Sequence, residues 1–448
     1  MALSLPGNPD LEHLRRAARN LQRAVREGEA RALALVAHHH PAGVPDEPRR
    51  FTLAAAQLVV ARSHGFASWP RLASHLAAAA RLSRDPVVLD PVGSSDDPAV
   101  LVPALACLTY TDRDEPARWA RAVELLAAHP NLPGDDVTVA ATVGDVVALR
   151  AHVSADRAAA VREVGPFRWA PLLYVVYSRV PQQDPVAAAS LLLDAGADPD
   201  SGYLWQGLAT PFTALTGVLG EGEAGPGRQP RHPRWRELAE LLLDRGADPN
   251  DRQALYNRMF GRDDSHLELL LDHGLGRPAS EVWAQRLTTP GETVEEMLDR
   301  QVRWARDHGF DERLALLGRH GLVPDGSTPG PAVPTIHRAR TPEAVRAAAD
   351  SGADLDALHE GRTAAHQAAF LGDVALLEAL LDAGADLGAV DAGHGTTPLS
   401  WARWARQDAA AAWLEVHATG ATGATDAADA ADAADAHEQG AGRPHGQG

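Results

Sequence analysis

The stretch Leu191–Asp200 reads LLLDAGADPD, and fifty residues later Leu241–Asn250 reads LLLDRGADPN. A shorter copy, LLDAGADL, stands at 380–387, and the Gly-Ala-Asp core recurs at Gly196, Gly246, Gly352 and Gly384. Leucines at helical spacing followed by glycine describe a helix closed by a left-handed residue, a conformation in which other side chains meet a steric penalty. One such unit cannot bury its own apolar face. A chain that repeats it is expected to stack each unit on its neighbour and to share one elongated core.

The segment Gly361–Asp391, GRTAAHQAAFLGDVALLEALLDAGADLGAVD, shows one unit in full. Thr363 stands where a helix starts and can cap free backbone N–H groups. AHQAAF is a short helix with small residues on one side, and Leu371-Gly372-Asp373 breaks it. VALLEALLDAG is a second helix, with Leu376, Leu377, Leu380 and Leu381 on one face and Gly384 at its end. The next unit begins at Thr397-Pro398-Leu399, 34 residues after Thr363.

This helix–turn–helix–loop unit resembles the ankyrin repeat, whose pattern joins G-x-T-P-L-H-x-A-A to a later L-L-x-x-G-A-D. Thr210-Pro211-Phe212-Thr213-Ala214-Leu215 is a second copy of the start and Thr335-Ile336-His337 a weaker third, and 269–275 and 314–322 are eroded copies of the end. Upstream, VPALACLTY with ARAVELLAAHP and VTVAATVGDVVALRAHV read as two further eroded units, giving about eight or nine between 100 and 418. Gly65-Phe66-Ala67-Ser68-Trp69-Pro70-Arg71-Leu72, with WAPLLYVVYSR (169–179) and DRQALYNRMF (251–260), is similar to a group of bacterial ankyrin-repeat proteins that carry a G-F-x-S-W-x-x-L helical module ahead of the repeats. The resemblance implies a fold and a general binding role, with the histidines matching His337 and His366 bridging units. It transfers no reaction.

The expected fold is all-α: a helical N-terminal module (1–90), an ankyrin-repeat solenoid (91–418) and a disordered Ala/Asp/Gly-rich tail (419–448). Frequent alanine and leucine, without Val/Ile alternation, favour helix over sheet. No apolar run is long enough to span a membrane. The start, MALSLPGNPD, lacks the basic-then-apolar pattern of an export signal, so the expected location is cytoplasmic. The single cysteine, Cys107, rules out an internal disulfide and a Cys-rich zinc site.

Lysine is absent, so all 42 basic residues are arginine. That removes P-loop, Schiff-base and kinase lysines together. No G-x-S-x-G and no H-E-x-x-H occurs, and no catalytic residue, cofactor site or metal site is expected. GEGEAG (220–225) has the outline of a dinucleotide fingerprint but follows a helix and carries two glutamates that would repel phosphate, so it reads as a flexible loop. His38-His39-His40 do not share one helix face and read as solvent-exposed.

Charge divides the chain. Residues 1–84 hold 12 Arg against 6 acids; the rest holds 30 Arg against 54 acids, a balance of −24. Residues 49–84 contain six Arg and no acid on two helices, the first ended by Gly65 and the second capped by Ser68 with Pro70 in its first turn. They can serve as a helical cap for the first repeat or, as the alternative function, contact DNA in a regulator. The favoured function is a protein-binding scaffold, and the acidic repeats point to a partner with a basic surface. Contact candidates are Tyr174, Tyr177 and Arg179 on one first helix, Tyr203 and Trp205 on the loop after Asp200, and Tyr256, Asn257 and Arg258 on another first helix. The opposing reading has Tyr256 packing, Asn257 tying a loop, and Arg258 paired with Asp263 or Asp264.

Overall fold

The structure is a computed structural model and describes residues 11–277, 282–287, 292–323 and 334–418. The expectation of a disordered tail at 419–448 falls outside the described residues. Those described are mostly helical, and they form two compact units.

One unit holds the described residues up to Asp90 together with Gly202–Phe212 and the described part of 280–293. Helices Leu11–Arg26, Ala30–His39, Leu53–Ser63 and Trp69–Leu82 enclose a core of Leu14, Leu21, Val36, Phe51, Val59, Leu72 and Leu76. The predicted punctuation is present. Thr52 accepts the Ala55 N–H, Gly65 is left-handed at φ 84°, and Ser68 accepts the Arg71 N–H. A smaller cluster joins Leu82, Leu204, Trp283 and Leu287.

This unit also corrects the all-α expectation. Strand β1 (Ser83–Arg84) pairs in parallel with β2 (Gly202–Trp205), with Ser83 opposite Leu204, and β3 (Pro211–Thr213) follows β2 in the sheet order. The segment read as a loop carrying Tyr203 and Trp205 is therefore partly strand. A strand of this length shows no alternation in sequence, and its partner lies more than a hundred residues away.

The other unit is a series of nine helix pairs among the described residues, from Pro98–Ala106 with Pro116–Ala128 to Pro398–Trp404 with Asp408–His417. First helices pack in succession: Pro98–Ala106 on Val137–Thr142, then Pro171–Tyr177, Ala214–Leu219, Arg252–Arg258 and Val294–Asp307. Alanine permits this close approach. Ala364, Ala365, Ala368 and Ala369 of helix Ala364–Leu371 are all buried against their neighbours. Aspartate is the recurrent cap: Asp97, Asp136, Asp145, Asp184, Asp251 and Asp373 each accept backbone N–H groups of the helix they precede.

The repeated phrase is a repeated joint. Gly196, Gly246, Gly352 and Gly384 are all left-handed, and the following alanine N–H reaches back to a carbonyl five residues earlier, as in Ala197 to Leu192 and Ala385 to Leu380. The aspartate after it closes a turn by accepting the N–H two residues on, in Asp198, Asp248, Asp354 and Asp386 alike. Asp200, Asn250 and Asp356 then accept a backbone N–H of the next pair, from Asp248, Gly276 and Asp386 at 2.8–2.9 Å.

Candidate interaction surface

Six of the eight contact candidates lie inside the protein, at 9% exposure or less: Tyr174, Tyr177, Arg179, Tyr203, Asn257 and Arg258. Tyr174 and Tyr177 stand on helix Pro171–Tyr177, every residue of which is buried. The Tyr174 hydroxyl donates to the Val164 carbonyl and accepts the Phe167 N–H, while Tyr177 donates to Thr213 O at 2.8 Å. Arg179 donates to the carbonyls of Pro230, Gly217, Val176 and Ser178, fastening the 220–233 loop to its own helix end. Tyr203 stacks on Phe212 with ring centres 5.8 Å apart. For Tyr174, Tyr177 and Arg179 the physical reason is shared: large side chains on or just after a first helix pack inward, and their polar tips find backbone there. Trp205 and Tyr256 remain half-buried.

Arg258 follows the opposing reading. It is fully buried, paired with Glu221 and with Asp263 at 3.3 Å. Asp263 also holds Arg231 at 2.7 Å. Beside it Arg313, also fully buried, pairs with Asp264 at 2.6 Å and donates to the carbonyls of Met259 and Gly261. Asn257 accepts from Gln253 at 2.8 Å.

The 220–225 loop, read from sequence as flexible, is pinned by this network. Glu221 meets Arg258, Glu223 accepts the Tyr256 hydroxyl, and Gln229 accepts the Ala224 N–H. Gly220, Gly222 and Gly225 supply positive φ, which lets the backbone fold tightly enough for both glutamates to turn inward. Burial first, then the adjacent Glu223 carboxylate, raise the Tyr256 phenol well above its ordinary range, so it stays a neutral donor.

Over this charged layer runs a strip of rings, of which sequence reading named only Tyr256. Tyr256 meets Phe260 edge-on at 5.2 Å, Phe260 meets Trp304 edge-on at 5.1 Å, and Trp304 stacks on His308 at 3.7 Å. Tyr256, Phe260 and Trp304 are all half-buried, and the Arg300 guanidinium lies 5.4 Å from the Tyr256 ring centre. The strip crosses from helix Arg252–Arg258 to helix Val294–Asp307, two consecutive first helices. Its signal in the sequence was Trp304 on a first helix, legible only once Val294–Asp307 is recognised as one.

In the other unit, Arg49, Arg50, Arg62, Arg71 and Arg81 are exposed, Arg50 pairing with Glu47 at 2.6 Å; Arg84 is buried and donates to the carbonyls of Arg81 and Ser83. The bridging histidines behave as the resemblance implied. His337 Nε2 meets Ala357 O at 2.7 Å and His366 Nε2 meets Thr396 O at 2.9 Å. Among the described residues no helix is long and apolar enough to cross a membrane.

Comparison with known families finds one match, to the ankyrin repeat, over residues 360–392. A search of curated proteins finds no match. The matched stretch is the unit that the sequence displays in full, with helices Ala364–Leu371 and Val374–Ala383 and the capping box of Thr363 and His366.

Proposed function

We propose that this chain is a cytoplasmic protein-binding scaffold of the bacterial ankyrin type, without a reaction of its own, in which the nine helix pairs form one solenoid. The observation that carries this reading is the half-buried strip of Tyr256, Phe260 and Trp304 across two consecutive first helices. Partly open aromatics on a rigid, bonded base are the side chains that anchor interfaces. The acidic balance of residues 85–448 favours a partner with a basic rim around an apolar centre. Trp205 is a secondary contact.

Affinity capture with wild type and with Phe260→Ser/Trp304→Ser tests this. The strip reading expects partner capture to fall at least about tenfold, as for loss of interface anchors, while the helical signal is kept. Undiminished capture would reject it.

A second reading, contact with nucleic acid, is favoured by the exposed arginines at 49, 62, 71 and 81. It requires duplex binding that weakens steeply with salt.

A further inference from the structure

We propose that His308, His359 and Glu360 form a binding site for a divalent transition-metal ion of the Zn2+ class, with Arg362 holding the site closed when no metal is bound. Two imidazoles and a carboxylate are a common donor set for such an ion, with a fourth position left to water or a ligand.

The three side chains converge from two elements. His308 directly follows helix Val294–Asp307, and His359 and Glu360 lie in the hairpin that precedes helix Ala364–Leu371. Each offers one donor atom, and all three atoms lie within 4.8 Å of one another. A Zn2+ ion with bonds of about 2.0–2.2 Å sets tetrahedral donors roughly 3.4 Å apart. The group must therefore contract, and Glu360, whose side chain is 40% exposed, has the freedom to do so.

Each donor is prepared. His308 Nδ1 lies 2.9 Å from the Trp304 carbonyl, and Trp304 stacks on the ring at 3.7 Å. That bond orients the ring with Nε2 turned to the site, the usual arrangement behind a metal-binding histidine, and a metal would take the place of the proton shared between Nε2 and Glu360. Nε2 points at Glu360 Oε2, 2.7 Å away. His359 is 8% exposed, and its Nε2 is buried without a hydrogen-bond partner. A buried ring nitrogen left unmatched is costly unless something else fills the place.

Glu360 stands at φ 52° and Gly361 at φ 80°, between His359 and Arg362, whose backbones exchange hydrogen bonds. This is a two-residue turn with both central residues left-handed, which a glutamate adopts at a cost. The turn sets His359 and Glu360 side by side over His308.

Arg362 is the internal competitor. One of its guanidinium nitrogens lies 2.9 Å from Glu360 Oε2 and 3.0 Å from His308 Nε2, the position a metal cation would claim. The hairpin and helix are thus held together by an arginine that an ion must displace. His308 and His359 are 51 residues apart, so no ligand spacing marks the site in the sequence.

The test uses the full-length chain, freed of metal by chelator and titrated with Co2+ and then Zn2+. The expected result is one Co2+ per chain with the visible absorption of four-coordinate cobalt, displaced by Zn2+ and accompanied by a rise in melting temperature. His359→Ala should abolish the spectrum. Glu360→Gln, which keeps the turn, should weaken binding about 10–100-fold or more, and Arg362→Ala should tighten it. Replacing His38, His39 and His40 by alanine should change nothing. The proposal is overturned if wild type never shows the cobalt spectrum, if the spectrum survives His359→Ala, or if it vanishes with the triple replacement. Should His359→Ala not fold, unchanged affinity in both Glu360→Gln and Arg362→Ala overturns it equally, and leaves a hydrogen-bonded clasp in its place.

Discussion

The Asp200 carboxylate accepts the backbone N–H of Asp248 at 2.9 Å, tying the loop of one helix pair to the loop of the next. Burial, with Asp198 and Asp248 nearby, raises this carboxyl to about 6. A carboxyl raised in the folded state binds its proton more tightly there than in the unfolded chain. Its contribution is present below the ordinary value of 3.8 and is lost as pH climbs through about 6. The equivalent residue one pair later is Asn250, which makes the same bond without a charge. Asp200→Asn should therefore match wild type near pH 4 and exceed it by roughly 1–3 kcal/mol at pH 7.5. Denaturant melts at the two pH values decide it; an advantage that does not grow with pH contradicts the assignment.

His232 gives the opposite slope. Its Nδ1 accepts the Arg234 N–H at 3.0 Å, so the neutral ring donates from Nε2 to Gln182 at 2.7 Å. Burial, aided by Arg179 and Arg234, lowers it from 6.5 to about 3. The unfolded chain then takes up the proton first, and stability present above pH 6.5 drains as pH falls towards 3. The slope from this residue alone is about 1.4 kcal/mol per pH unit between roughly pH 6 and 4. His232→Asn should be less stable at pH 7.5 and show a flatter acid limb. An unchanged limb would place the acid sensitivity elsewhere.

Glycine at the repeated joint is there for its backbone and not for space. Gly246 has φ 97° and nothing within 4 Å of the position a Cβ would take. Gly246→Ala should cost about 1–2 kcal/mol, from left-handed strain alone. Gly318 is the internal contrast: it lies in helix Asp311–Arg319, and the nearest atom to an added Cβ is Val323 Cγ2 at 3.8 Å. Gly318→Ala should gain up to about 1 kcal/mol. Thermal melts that moved both variants in the same direction would refute the distinction.

The joints were legible because they repeat. Gly-Ala-Asp at 196, 246, 352 and 384 announced its turn chemistry, and Thr52, Ser68 and Asp373 announced helix starts. What could not be read was which face of a first helix meets its neighbour. Tyr177 and Arg179 are interface-type residues by composition, yet they lie under the next pair, bonded to Thr213, Gly217 and Pro230. Trp304 looked ordinary and lies half-open. The β1–β2 pairing and the His308–His359 approach join residues far apart in sequence, and neither leaves a periodic trace.

Arg258 carries the sharpest revision. On an open surface, Arg258→Ala would spare stability and weaken binding. Fully buried between Glu221 and Asp263, it should instead cost up to about 3–5 kcal/mol, because the inward-turned Glu221 loses its nearest counter-charge and keeps only the longer contact to Arg231 at 3.5 Å. The double variant Arg258→Met/Glu221→Gln should recover much of that loss, since no uncompensated ion remains. A single variant that melts within about a degree of wild type would contradict the burial.

The basic helices call for substitution in place of deletion. Removing residues 1–90 would strip β1 from β2 and uncover Leu204, Trp283 and Leu287, so lost capture would have two causes. Arg49, Arg62, Arg71 and Arg81 are exposed, and replacing all four by serine should leave the melting temperature nearly unchanged. The scaffold reading expects full protein capture by this variant and no duplex DNA binding by wild type even at low salt. If wild type binds DNA and the four replacements flatten its salt dependence by about three to four units of log–log slope, the basic unit is the binding element and the aromatic strip is secondary.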